Sequence, residues 1–424
     1  MPDYASSTQN EKWLYTNDSL AEVRARANRE ARRALAAEPD GAASSSGNET
    51  GGDNGGGGGK GGGAKPLVPA RWYASGYASA RVSGEVDYDD GSGESGDPWE
   101  SSPKRGAQAL LTPEDEQQLI QFYTGKIHDL IGPAAMVPRL RRDEKVAATT
   151  AVLFRRFFLS NSVMVHDPKA IMVASAFLGS KVEDATADVR YLEEGTKLMQ
   201  APVPMQDIID AEIHFLAGVN FELMCYHPYK TVLAYTEDLR TFLKSERGRL
   251  LATFPDGASR PVAGEDLRPM HDKARKIVLD AVLSDVSLLY SPGQIGLAAM
   301  MVANEELRAN PPPSSAAVPY IDLMGYVRAR FEEQSEKEHA LLAERMGELS
   351  GMLRGLKEGK HGCGNHGIDM VKLKAVHKKL KKCRAWGVGS EGGDSKKKKK
   401  KKKRKAEDKA GGDGPPLKVP KSES

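Results

Sequence analysis

The sequence predicts an all-α protein, and three observations carry that expectation. Apolar residues recur at helical spacing over most of residues 113–386. No alternating apolar and polar run of useful strand length interrupts them. Helix-start signals punctuate the pattern, above all Thr112-Pro113-Glu114-Asp115 and Ser291-Pro292, where a side-chain cap precedes a first-turn proline. Helices without a sheet must bury one another, so the expected architecture is two tandem five-helix units with extra N-terminal and C-terminal helices.

The N-terminal segment, residues 1–37, holds one helix from Asp18 to about Ala36, with Leu20, Val23, Ala27 and Ala31 on one face. Residues 38–108 are rich in Gly, Ser and Asp, including GGDNGGGGGKGGG. Such a segment cannot bury enough apolar surface to offset chain entropy, so a disordered linker is expected. Within it, Ser102-Pro103 fits a proline-directed phosphorylation site.

The first five-helix unit, residues 109–228, is expected to contain helices over 113–131, 138–160, 168–183, 187–199 and 204–219. Val146, Thr150, Leu153 and Phe157 form the inner face of the second helix, and Ile171, Ala174 and Leu178 that of the third. In the fifth, Ile209, Ile213 and Leu216 are expected to point inward. His227-Pro228-Tyr229 opens the second unit, residues 229–357, with helices over 229–245, 270–290, 292–308, 319–331 and 335–357. Residues 358–390 follow with a basic helix at about 368–386, whose stripe of Leu373, Val376, Leu380 and Cys383 should dock on its own domain. The last segment, 391–424, is a lysine-rich tail expected to be disordered.

The formal charge of +3 hides a division. Residues 391–424 carry 13 Lys and Arg against 6 Asp and Glu, which leaves roughly −4 for everything before them. The folded part is therefore near neutral and the basic character belongs to the tail. Three cysteines, Cys225, Cys363 and Cys383, lack the spacing of a disulfide framework and fit a reducing compartment. The N-terminus lacks the order of a signal peptide and no apolar run approaches the roughly 20 residues of a membrane span, so a soluble intracellular protein is expected.

Neither metal nor cofactor is expected. HGCGNHG holds Cys363 and His366, with His361 and Cys383 available, but no paired knuckle spacing accompanies them. The glycine run at Gly51 to Gly63 has no preceding strand and no closing Lys-Ser/Thr, so it is no phosphate loop. The nine histidines show no nucleophile and base arrangement, and no catalytic residues are expected.

FRRFFLSNSVMVHDPKAIMVASAFLGSKVED, from Phe154 to Asp184, resembles the centre of a cyclin box. The family pattern is an aromatic helix end, a Ser-Val connection, and an alanine-rich buried helix closing on Ser-Lys with acidic residues after it. DAEIHFLAGVNFELMCYHPY is similar to the family's fifth helix and its exit into the second box. The chain is thereby identified as a member of the cyclin family over about residues 109–357. Three further stretches resemble the cyclin H branch: KWLYTNDSLAEVRARANREAR, LLYSPGQIGLAAM and the closing helix with Cys383. In that branch the connection from the N-terminal helix to the box is short, whereas here it is roughly 70 residues.

The resemblance implies a non-catalytic regulatory subunit that activates a cyclin-dependent kinase. It further implies partnership with a RING-finger assembly factor and with general transcription/repair factor IIH, acting on other cyclin-dependent kinases and on the RNA polymerase II C-terminal repeat. It maps the family's kinase-contacting Lys and Glu onto Lys181 and Glu212, with Phe158 and Leu159 at a helix end as apolar contacts. Phe157, Ile171 and Phe177 are expected in the core. Rival implications are another transcriptional cyclin, such as cyclin C of the Mediator kinase module, or a cyclin-fold promoter-binding factor. The latter carries an N-terminal zinc ribbon, and residues 1–108 contain no Cys.

One motif stands on composition alone. Lys396, Lys397, Lys398, Lys399, Lys400, Lys401, Lys402, Lys403, Arg404 and Lys405 are dense enough for a nuclear import signal, so a nuclear location is expected. The same run would attract any phosphate polymer, giving nonspecific nucleic-acid contact as a concurrent role, and no membrane contact is expected.

Overall fold

A computed structural model describes residues 4–36, 86–87, 108–257, 260–311, 318–332 and 334–384. Two consecutive sets of five helices dominate it, with helices added at both ends. The expected linker over 38–108, apart from residues 86–87 and 108, and the tail over 391–424 lie outside the described residues. So do Ser102 and Lys396 to Lys405.

The N-terminal segment begins with a short helix that sequence periodicity did not show, α1 (Thr8–Lys12), followed by α2 (Asn17–Ala36). The first set is α3 (Pro113–Leu130), α4 (Glu144–Ser160), α5 (Pro168–Val182), α6 (Val189–Leu198) and α7 (Met205–Gly218). The second is α8 (Pro228–Phe242), α9 (Gly264–Val282), α10 (Pro292–Ala309), α11 (Leu323–Arg330) and α12 (Glu336–Gly355), and α13 (Met370–Cys383) closes the chain. Strand pairing is slight: β1 (Val86–Asp87) lies parallel to β2 (Gln108–Ala109), and β3 (Ala252–Thr253) antiparallel to β4 (Tyr320–Ile321). Among the described residues no helix is long and apolar enough to cross a membrane.

Side-chain caps set most helix starts. Thr112 and Asp115 exchange side-chain to backbone hydrogen bonds at 3.2 Å in a capping box, and Pro113 occupies the first turn, where its missing N–H costs nothing. Caps also move two expected boundaries. The helix predicted over 138–160 is divided, because the Asp143 carboxylate accepts the Lys145 N–H and starts α4 afresh after a 3-10 turn at Pro138–Leu140. The helix predicted over 270–290 starts earlier, at Gly264, and tolerates Pro269 inside. It ends at Val282 because Ser284 caps the Ala281 carbonyl and the Asp285 N–H is taken by the His361 carbonyl at 2.9 Å. A single turn, Val286–Leu289, follows.

The central helices of both sets, α5 and α10, carry small residues where neighbours press close. A side chain at Gly179 would meet Thr150 Oγ1 at 2.6 Å, and one at Gly296 would meet Thr231 Cβ at 2.9 Å. Phe157 stacks on Phe215 with centroids 5.4 Å apart and packs edge-on against Phe158. The expected core face of α13 is buried, Leu373, Val376, Leu380 and Cys383 all lying at 5% exposure or below, and Lys379 pairs with Asp115 of α3 at 2.6 Å.

Candidate functional site

Lys181 stands in the last turn of α5, where a cation suits the helix C-terminus. Its Nζ lies 2.6 Å from Glu212 Oε1 on α7 and 3.8 Å from the centre of the Phe177 ring. The structure thus brings together the two residues expected at the partner surface. One shared contact leaves Lys181 further donors and Glu212 further acceptors, and both side chains retain solvent exposure, 38% and 20%.

Beside this pair the structure corrects the expected face of α7. Ile208, Ala211 and Phe215 point into the core, while Ile209 and Ile213, expected inward, are 49% and 58% exposed. Leu216 is half-buried. The helix is apolar at two overlapping helical spacings, and Phe215 decides between them by stacking on Phe157. Met205, Ile209 and Ile213 therefore form an exposed apolar stripe at four-residue spacing, with Glu212 beside it. Phe158 and Leu159 are corrected in the opposite sense. At 2% and 3% exposure they are core residues, Phe158 held edge-on between Phe154 and Phe157, and they offer no outer contact.

A second constellation locks the two sets of helices to the N-terminal segment. Arg155 of α4 donates to Asp285 Oδ1 and to the Leu283 and Gly362 carbonyls, each at 2.6 Å. Arg24 of α2 grips the same Asp285 carboxylate with two nitrogens, at 2.6 and 3.0 Å. Burial alone would raise the Asp285 carboxyl, but Arg24 and Arg155 outweigh it and hold it below its usual range. Further along, Trp13 Nε1 and Lys12 Nζ both donate to the Glu222 carboxylate, and the Gln9 amide pairs with the Tyr226 backbone. The N-terminal helices are docked despite their long tether.

Between the two sets lies a cleft of about 840 Å³, floored by Glu183 and His227. Thr149 gives its one hydroxyl proton to Glu183 at 2.5 Å, so it can only accept from His227 Nε2 at 2.7 Å. That fixes His227 as the neutral Nε2–H tautomer, in keeping with burial, which pushes it down to about 3. Cys363 and His366, adjacent in the expected non-metal loop, come together with Asp280 of α9.

The architecture is that of two consecutive five-helix units with a surface pair, Lys181 and Glu212, on the first. The Cyclin C-terminal domain model matches residues 227–385. Cyclin CCL1 of Saccharomyces cerevisiae is 29% identical over 197 residues, covering 46% of this chain and 44% of its own length. Putative cyclin-H of Dictyostelium discoideum is 33% identical over 130 residues, 31% of this chain and 42% of its own length. Cyclin-H1-1 of Arabidopsis thaliana is 25% identical over 309 residues, 72% and 71% of the two chains. The chain thus matches less than half the length of the first two relatives. In fold it is similar to a chain of the CAK complex from Chaetomium thermophilum bound to ATP-gamma-S, with TM-score 0.57 and 19% identity over 90% of this chain and 89% of that one. Residues 227–385 thus carry the pattern of a cyclin C-terminal domain, and the relatives that the chain resembles in sequence are named as cyclins.

Proposed function

We propose that this chain is the regulatory subunit that binds and activates a cyclin-dependent kinase, with α5 and α7 as the docking surface. The carrying observation is the exposed stripe of Met205, Ile209 and Ile213 beside the Lys181–Glu212 pair. An apolar stripe edged by charge, left open on an otherwise packed helix, suits a partner's helix laid across it. Binding would hold the kinase's mobile helix inward, where its Glu pairs with the nucleotide-binding Lys, so activation is a population shift driven by interface energy.

The names of the relatives and the fold shared with a CAK complex support a more specific reading, the kinase-activating complex within general transcription/repair factor IIH. The partners would then be the kinase, a RING-finger assembly factor and the factor IIH core, with other cyclin-dependent kinases and the polymerase repeat as substrates. The docked N-terminal helices and the closing α13 favour this over a cyclin C-like role. A nuclear location would follow from Lys396 to Lys405. Deleting 391–424 should lower nuclear accumulation of a tagged chain and leave kinase activation intact.

Reconstitution with the purified kinase tests the central claim. Ile213→Asp, at an exposed position, should keep the helical circular dichroism spectrum and abolish activation. Activation at the unmodified level would remove α7 from the interface.

A further inference from the structure

We propose that Asp280, Cys363 and His366 form a binding site for one zinc ion, which ties the C-terminal connector to the second box.

The three residues come from two elements. Asp280 stands in the last turn of α9, and Cys363 and His366 stand in the glycine-rich connector between α12 and α13. One ligand atom from each lies within 4.8 Å of the other two. His366 Nε2 is 3.3 Å from Asp280 Oδ2. That is longer than the roughly 2.7–2.9 Å of a charge-assisted hydrogen bond. It equals the edge of a tetrahedron whose centre lies about 2.0 Å from each atom, the usual zinc distance to imidazole nitrogen and carboxylate oxygen. The thiol donates only weakly, to the Asp280 carbonyl at 3.7 Å, and the backbone N–H groups of Asn365 and His366 face its sulfur.

The surroundings hold these ligands in place. The Gln121 amide, from α3, donates to the backbone carbonyls of both Cys363 and His366, at 2.8 and 3.0 Å. Asn365 donates to Asp280 Oδ1 at 3.0 Å, which orients the carboxylate and leaves Oδ2 toward His366. Gly359, Gly362 and Gly367 take positive φ of 79, 63 and 69°, letting the connector fold back on itself. Chemically the set suits zinc: a thiolate, an imidazole and a carboxylate, whose two negative charges neutralise the ion, with the fourth position left to water. Binding expels the thiol proton to solvent as the S–Zn bond forms. The same connector supplies the Gly362 carbonyl to Arg155 and the His361 carbonyl to the Asp285 N–H, so an ion here would stiffen the buried junction.

The test is cobalt substitution of the full chain after chelator treatment. The expected result is a thiolate-to-cobalt charge-transfer band that saturates at one equivalent and is bleached by zinc. Cys363→Ser should lose the band and Cys383→Ser should keep it. His366→Gln carries the test if Cys363→Ser does not fold, because its ring is 36% exposed. Asn365→Ala should weaken cobalt binding about 10-fold or more, as the loss of an outer partner does. Zinc should raise the melting temperature of the wild type and leave that of His366→Gln unchanged. Absence of the band, its persistence in Cys363→Ser, or equal zinc shifts in wild type and His366→Gln would overturn the site. The cluster would then be a core thiol beside an ordinary His–Asp pair.

Discussion

Two ion pairs in this molecule share their chemistry and differ in everything else. The Arg155–Asp285 pair is buried, its side chains 2% and 15% exposed, and it joins two boxes and an N-terminal helix. The Lys181–Glu212 pair lies at the surface on two neighbouring helices of one box. Desolvation makes the first indispensable once formed, because neither guanidinium could be left without its carboxylate. Screening makes the second nearly worthless to the fold. Geometry alone does not separate them, since both have 2.6 Å contacts.

The largest expected effect comes from removing the shared carboxylate. Asp285→Ala leaves Arg155 and Arg24 without their ion-pair partner and should destabilise the chain by about 3–5 kcal/mol. Denaturant unfolding followed by circular dichroism measures it. Limited proteolysis should at the same time cut first within α2, because Arg24 loses the carboxylate that holds it to the second set of helices. A loss below about 1 kcal/mol would make the two pairs equivalent.

Glu212→Ala sharpens the other side of the comparison. Stability should change by no more than about 1 kcal/mol, the range for an exposed pair. Kinase affinity should fall by about 2–5 kcal/mol, or roughly 30-fold and more, through partner groups left unpaired in the complex. Lys181→Ala should behave alike, and the double variant should lose less than the sum of the two. Titration calorimetry against the purified kinase decides it.

The sequence showed the scaffold more clearly than these pairs, for a physical reason. Caps such as Thr112, Asp167, Ser291 and Ser335 act within three residues, so they are visible locally. The same holds for the face of α2, where Leu20, Ala27 and Ala31 are buried as expected. Arg24 and Asp285 meet across 261 residues, and nothing local to either announces it. Periodicity points Ile209 and Ile213 inward because α7 is apolar on two sides, a surplus that itself signals an outer surface. Lys181 and Glu212, whose side chains meet across 31 residues, are paired by the family resemblance and not by periodicity, which lacks that spatial information. Asp280 had no signal at all, since zinc-type spacing is read along the chain and this third residue arrives from another helix.

Buried titratable groups extend the contrast to pH. Burial holds His166 and His227 neutral, with pKa values near 3, while the unfolded chain protonates near 6.5, so each loses stability as pH falls below about 6.5. Glu116 acts in the opposite direction. Burial lifts its carboxyl to about 7 despite donors from Ser162 and Asn28, so the folded chain gains stability as pH falls from about 7 toward 4.5. Between pH 7 and 5.5 that gain is on the order of 1–2 kcal/mol. Glu116→Gln should remove it, leaving the variant more acid-sensitive than wild type by that amount in urea unfolding at the two pH values. Parallel pH profiles would mean that Glu116 stays ionised in the fold.

The smallest expected effect concerns the tether. If α2 is held by Arg24, Asn28 and the Trp13–Glu222 contact, then the length of chain joining it to α3 should matter little. Ala36 and Gln108 are separated by 71 residues in the sequence. Removing Ala42 to Ala64 shortens that span by about a third, and closure entropy, which grows only as the logarithm of length, then changes by about 0.3 kcal/mol in favour of the docked state. Thermal unfolding should therefore place the shortened chain within about 1–2 °C of wild type. A drop of many degrees would show that the glycine-rich stretch makes contacts of its own. The same deletion in the Asp285→Ala background separates tether from contact. If docking depends on the buried pair, shortening the tether should recover only that small entropic fraction of the stability lost, and α2 should remain open to protease.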